Sequence, residues 1–229
     1  DVYKIQQYIL TSESEETGQA FITVDEAGQN TILVYGGANM TLSATDVEMS
    51  VDAFIGADFV VAQLEVPFEA IEQAFKIARK QNITTVLNPA PAIELPKSLL
   101  ELTDIIIPNE TEAELLTGIS INNESDMKET ATYFLDLGIS AVLITLGEQG
   151  TYCAYQEQYK MIPACNVKAI DTTAAGDTFI GAFLSELNKD LSNLESAIRL
   201  ANQASSLTVQ RKGAQASIPT RKEVEAEYN

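Results

Sequence analysis

In the stretch DTTAAGDTFIGAF, residues 171–183, Asp177 follows a run of small residues, Ala174-Ala175-Gly176, on the approach to an apolar segment. Two chemistries are open to it. An acid in a first helical turn is stabilised by the helix dipole, as many surface aspartates are. Alternatively, small side chains leave the N–H groups of a helix start accessible to a phosphate. Asp177 beside such a turn then accepts a proton from a hydroxyl attacking a phosphoryl group. The dipole lowers a carboxylate's pKa and makes Asp177 a weak ground-state base. In phosphoryl transfer this matters little, because the hydroxyl becomes strongly acidic only as the new bond forms.

Two further groups have the same double character. Asn109-Glu110-Thr111-Glu112 is a capping box, with Asn109 as N-cap and Glu112 three residues on. The same side chains also suit the surroundings of a Mg²⁺ and its phosphate shell, since a hard cation prefers oxygen ligands and keeps several waters. Glu65 is either an acid preceding a helix or a group holding a sugar hydroxyl at the carboxyl end of a strand. The familiar nucleotide motifs, G-x-x-x-x-G-K-[ST] and G-x-G-x-x-G, do not occur.

The elements that must position these residues follow from the pattern. Phe21 to Val24 and Thr31 to Tyr35 are β-rich runs around an Ala27-Gly28-Gln29-Asn30 turn, a hairpin. DFVVAQLEVP is a short continuous apolar run suited to a strand buried on both faces. A helix follows, with Pro67 at a first helical position and Ile71, Phe75, Ile77 and Ala78 on its apolar face. Then come a strand (ITTVLN), a Pro-rich turn, a strand (DIIIPN), helices (ETEAELLTG and SDMKETATYFLDLG) and a strand (AVLITLG). A hairpin is expected between 150 and 170, then helices over about 176–188 and 192–209. The β-α alternation predicts one α/β domain, a parallel sheet covered by helices on both faces, with a β appendage at its front. Ligands then bind at the carboxyl ends of the strands, at 63–65, 88–91, 109–112, 145–150 and 171–177.

Composition bounds the partners. Thirty-three acidic residues against 14 basic ones give a net charge of −19, which disfavours nucleic acid and anionic membranes. There are no histidines, so imidazole bases and His metal sites are excluded. Cys153 and Cys165 lack metal-type spacing and cannot make a disulfide framework, which points to a reducing cytoplasm. No apolar run approaches the ~18 residues of a membrane span.

Together these motifs resemble the ribokinase family of carbohydrate kinases. The family's D-T-x-G-A-G-D signature reads Asp171-Thr172-Thr173-Ala174-Ala175-Gly176-Asp177 here, and NPAPAIELP, IIIPNETEAELLTG, AVLITLGEQG and RKGAQASIP match in order and spacing. The resemblance implies a three-layer α/β/α sandwich with a mostly parallel central sheet and a small β lid. It implies one ribokinase-like domain over 1–229, with about 1–36 in the lid and 37–229 in the nucleotide-binding core. It implies transfer of the ATP γ-phosphate to the 5-hydroxyl of D-ribose. The alternatives are the same chemistry on fructose or deoxyribose, or a non-catalytic nucleotide- or sugar-binding module.

Residue by residue, the resemblance makes Asp177 the base and assigns Ala175 and Gly176 to the anion hole. It places Asn109, Thr145, Leu146, Gly147, Glu148, Gln149, Gly150 and Asn202 in the ATP site, and Glu65 on the sugar. Glu112 is tied to Mg²⁺ and phosphate. Asp171, Thr173, Thr208, Arg211, Gly213 and Ser217 enclose a monovalent cation, K⁺, several through backbone carbonyls. A homodimer through the lid is implied as well. The family also carries an N-terminal segment with a first sheet strand, an N-x-D sugar contact and a G-G-K-G-A-N turn. None of these occurs in the 229 residues; Gly36-Gly37-Ala38-Asn39 matches a later Gly-Ala-Asn. On that basis the ATP half is expected to be whole and the sugar half incomplete, so that these residues alone do not phosphorylate ribose.

Overall fold

A computed structural model describes residues 6–24 and 30–228. The chain forms two compact units, one of residues 1–91 and 95–103, the other of 92–94 and 104–229.

In the first unit, β1 (Gln19–Val24) and β2 (Asn30–Tyr35) pair antiparallel, Phe21 opposite Leu33. This is the expected hairpin; Ala27, Gly28 and Gln29 of its turn lie outside the described residues. Helix α1 (Ala44–Met49), which the sequence pattern did not suggest, is closed by a capping box between Ser43 and Asp46. Strand β3 (Phe59–Ala62) runs through α2 (Phe68–Lys80) into β4 (Thr84–Leu87), which pairs parallel to it. Pro67 is the N-cap of α2 rather than its first residue, and it sends the chain into the helix just as well, since it gives up no ladder bond there. Ile71 and Phe75 of α2 close on Leu64, Leu87 and Leu99, the last from α3 (Lys97–Glu101).

Strand β3 departs from expectation. It is not buried on both faces: Phe59, Val60 and Ala62 are half-buried and Val61 is 43% exposed. The physical reason is which face is covered. Val60 and Ala62 point to the cluster under α2, while the alternating position, Val61, faces away from it.

In the second unit one strand is buried up to its last residue. Strand β5 (Ile105–Ile106) leads through α4 (Glu110–Thr117) and α5 (Glu124–Asp136) to β6 (Ala141–Thr145), parallel to β5. Residues Ala141 to Ile144 have no exposed surface, which is why the run is continuously apolar instead of alternating. Strand β7 (Gly150–Tyr155) then turns back antiparallel to β6, and β8 (Gln158–Pro163) pairs antiparallel with β7. The tight turn between them carries positive φ at Gln156 and Glu157, the pattern that matches strand twist in a two-residue hairpin.

The chain closes with α6 (Ala175–Glu186), α7 (Leu194–Thr208) and α8 (Arg221–Tyr228). The apolar positions 179, 180, 183, 184 and 187 of the first and 194, 197, 198 and 201 of the second are expected to face the core, and all are buried except Leu184, which is half-buried. Helix α8 was not legible; only Val224 of it is buried.

Candidate active site

Asn109 and Thr145 end adjacent strands and meet there. They form an isolated parallel bridge beyond β5 and β6, and the Thr145 N–H donates to the Pro108 carbonyl at 2.9 Å. Asn109 then caps α4. Its side-chain oxygen accepts from the Glu112 N–H at 2.8 Å. Glu112 returns the bond, Oε2 accepting from the Asn109 N–H and Oε1 from its Nδ2, both at 2.8 Å. So the capping-box reading is realised in full. It does not exhaust Glu112, because each carboxylate oxygen keeps acceptor capacity. Burial of Glu112 raises its pKa, and the Asn109 N–H works against that.

After Thr145 the chain makes a short turn through Leu146 to Gly150. Gly147 has φ 52° and Gly150 φ 113°, ψ −137°. Gly147, Glu148 and Gln149 are exposed, whereas Leu146 and Gly150 are buried. The Leu146 N–H donates to the Gly150 carbonyl at 2.8 Å. Glycine is required at 150 for space as well as angle, since a Cβ there would overlap the Ile162 carbonyl oxygen and the Ala164 nitrogen. Asn202 locks the far side of this turn. Its Oδ1 accepts from Thr151 Oγ1 at 2.9 Å, and its Nδ2 donates to the Ile162 and Pro163 carbonyls at 3.1 and 3.2 Å. The Asn202 amide is thereby committed to holding the ends of β7 and β8 on α7.

The small-residue run occupies the N-terminus of α6. Ala174, the N-cap, is left-handed with φ 61°, and no side chain caps the helix. The backbone bonds here are Ala175 N–H to the Thr172 carbonyl at 3.2 Å and Thr178 N–H to the Ala174 carbonyl at 2.9 Å. Gly176, the second residue of α6, is exposed, and a Cβ on it would meet nothing within 4 Å. An anion can therefore reach the amide at Gly176, at the positive end of the dipole. Asp177, the next residue, is an exposed acid in that same first turn.

Asp171 ties this motif to a loop 42 residues away. Its Oδ1 accepts from the Thr173 N–H and its Oδ2 from the Gly213 N–H, both at 3.0 Å. Hydrogen bonding from Thr173, then the Gly213 N–H, holds its carboxyl pKa at about 2. It is ionised throughout the working range of an enzyme. The N–H groups of Ile170 and Asp171 both donate to the Val209 carbonyl, at 2.7 and 3.1 Å. Asp171, Thr173 and Gly213 are thus bonded together, with Thr208, at the end of α7, and Arg211 on the segment that leads to Gly213; Ser217 follows, buried, with its hydroxyl donated to the Ala214 carbonyl at 2.6 Å. The Arg211 side chain is spent on Glu223 at 2.8 Å, and the Thr208 carbonyl accepts from the Arg211 N–H at 3.0 Å. What these residues offer a cation is one carboxylate and neutral oxygens. Among the described residues there is no cluster of three acid, Cys or His side chains that would hold a divalent ion by itself.

Glu65 stands in the first unit, exposed, on the segment after β3. Its neighbours anchor that segment: Leu64 N–H donates to the Ala90 carbonyl at 2.8 Å and Gln63 Nε2 to Asn88 Oδ1 at 3.0 Å. Ser205, which the sequence pattern did not single out, and Thr208, expected beside the cation, also touch the motif. Ser205 donates to the Ala175 carbonyl at 2.9 Å and Thr208 Oγ1 to Thr178 Oγ1 at 3.0 Å. The signal was present in α7: Ala201, Ser205 and Thr208 fall at i, i+4 and i+7, a small and hydroxylic stripe on one helical face.

Comparison with known proteins identifies the family. A sequence model of the pfkB family of carbohydrate kinases matches residues 4–221. The chain is 64% identical over 217 residues to the ribokinase of Staphylococcus aureus (strain COL), covering 95% of this chain and 71% of the relative. It is 44% identical over 216 residues to the ribokinase of Haemophilus influenzae, covering 94% and 70%. The structure of Arabidopsis thaliana ribokinase complexed with ribose and ATP is similar with a TM-score of 0.82 at 33% identity, over 93% of this chain and 69% of that one. The fold is α/β with a mostly parallel central sheet, as in those structures. With the signature of residues 171–177 folded into an open helix N-terminus, the chain belongs to the pfkB family of carbohydrate kinases.

Proposed function

We propose that the protein transfers the γ-phosphoryl group of ATP to the 5-hydroxyl of D-ribose, giving ribose 5-phosphate. The observation that carries the mechanism is the uncapped N-terminus of α6, open above Gly176 and followed at once by an acid. The Gly176 amide, next to Ala175, meets the charge that builds on the transferring group, where preorganised donors contribute most. Asp177 takes the hydroxyl proton as the bond to phosphorus forms. The turn Thr145 to Gly150, with Asn109, borders the nucleotide, and Asn202 acts by holding that turn in shape. Glu65 is the acid that binds the sugar.

Mg²⁺ accompanies ATP and offsets charge on its phosphates. Asn109 and Glu112 fit its surroundings through water, since a buried carboxylate with acceptor capacity left suits an ion that keeps its hydration shell. The loop pair of Asp171, Thr173, Thr208, Arg211, Gly213 and Ser217 fits a large monovalent cation such as K⁺. One ionised carboxylate among neutral oxygens does not match the tight octahedron that Mg²⁺ demands. Exchanging K⁺ for Na⁺ at constant ionic strength is expected to lower turnover severalfold, because the pair borders the turn that forms the anion hole. Equal rates in both salts would refute the cation site.

A homodimer through the β1–β2 hairpin is supported by its exposed apolar residues, Phe21 at 55% and Leu33 at 69%. A reducing, cytoplasmic setting is supported by the cysteines, both free, with the Cys153 thiol buried and pushed up to about 12. No described helix is long and apolar enough to cross a membrane.

The reaction is tested by kcat/KM of the full-length protein over a panel of sugars with MgATP. Ribose is expected to give the highest value, with phosphate on its 5-oxygen. A clear preference for fructose or deoxyribose, or ATP binding without turnover on any sugar, overturns the reading.

A further inference from the structure

We propose that Ser205 is a positioning residue for phosphoryl transfer: from α7 it fixes the Ala175–Gly176 peptide and so aims the Gly176 N–H at the transferred group. This rests on the anion-hole reading above. Ser205 Oγ donates to the Ala175 carbonyl oxygen at 2.9 Å. A trans peptide is planar, with its C=O and N–H pointing in opposite directions. Holding the Ala175 oxygen from one side therefore sets the direction of the Gly176 N–H on the other. The same bond polarises the amide, because hydrogen bonds in a chain strengthen one another.

This turn needs such a tether. It opens on a left-handed Ala174, has no capping side chain, and carries glycine at its second position, each a source of backbone freedom. One turn deeper, the buried Thr208 Oγ1 to Thr178 Oγ1 bond, 3.0 Å, ties the same two helices. Residues 205 and 208 are three apart and share one face of α7. The first turn of α6 is thus held from behind at two points, leaving the Gly176 N–H to face outward.

In the full-length protein, Ser205→Ala is expected to lower kcat by roughly 3- to 15-fold, the scale of one net hydrogen bond. KM for ATP and for the sugar should change little, as for an interaction made only in the transition state. Affinity for MgADP should hold, while affinity for MgADP with aluminium fluoride, a mimic of the transferring group, should fall by the same factor as kcat. Ser205→Thr keeps the hydroxyl and should restore both. An unchanged kcat in Ser205→Ala overturns the proposal, as does equal weakening of MgADP with and without fluoride, or failure of Ser205→Thr to rescue. Gly176→Ala separates this from the reading beneath it, because the site has helical backbone and open space for a methyl group. A fully active Gly176→Ala sinks the anion hole itself. An impaired Gly176→Ala beside a normal Ser205→Ala sinks only the role of Ser205.

Discussion

Asp177→Asn in the full-length enzyme is expected to reduce kcat by roughly 10²–10⁴-fold, the usual worth of a positioned base. The change is nearly isosteric and sits at an exposed site in the first turn of α6. It removes a charge favourable to the helix dipole, which costs only about 0.3–1 kcal/mol, so folding should survive with a small drop in Tm. ATP affinity should change little, since the proposed nucleotide site is bordered by Thr145 to Gly150 and Asn109. The check is a pair of measurements, steady-state kinetics and ATP binding by calorimetry. Parallel loss of ATP affinity and turnover would mean that Asp177 is only a dipole-stabilised acid.

The second large effect falls on stability. Gly150→Ala is expected to destabilise the protein by about 3–5 kcal/mol, summing a backbone region reserved for glycine and an overpacked contact. The residue combines φ 113° and ψ −137° with no room for a Cβ against Ile162 and Ala164. In a chain of this size that lowers Tm by roughly 10 °C. Gly147→Ala supplies the contrast. Its φ is 52° and a Cβ there meets nothing within 4 Å, so only the left-handed penalty of about 1–2 kcal/mol applies. Thermal unfolding of the two variants side by side decides the matter. Equal Tm values would show that the turn at Gly150 relaxes around a methyl group.

Several features were legible because their causes are local. The Asn109–Glu112 capping box needs only two polar residues three apart before a helix, and it forms as read. The apolar run Ala141 to Ile144 suits a strand inside a sheet covered by helices, and that is where it lies. The apolar faces of α6 and α7 follow from 3.6-residue periodicity alone. The motif of residues 171–177 places small residues and an acid at a helix start whatever the rest of the chain does.

What the tertiary structure decided depends on residues far apart in the chain. Strand β3 carries the same apolar composition as β6, yet Val61 is exposed, because burial depends on what covers the second face rather than on the strand itself. The motif marks Asp171, but only the fold brings the Gly213 N–H to its second oxygen. The resemblance puts Asn202 at the nucleotide, but that its amide is held by Thr151, 51 residues away, appears only in the fold. Gly150 is one of 12 glycines, and only the pairing of β7 with β8 puts the Ile162 carbonyl where its side chain would be. Ser205 has the type and spacing to lie on the inner face of α7, but sequence periodicity gives a face and not a partner. Local patterns leave a record in residue spacing, whereas a hydrogen bond closed across the fold leaves none. The sequence by itself therefore determined the chemistry available at the start of α6, and the packing of α7 and the 209–213 loop behind that turn decided how it is held.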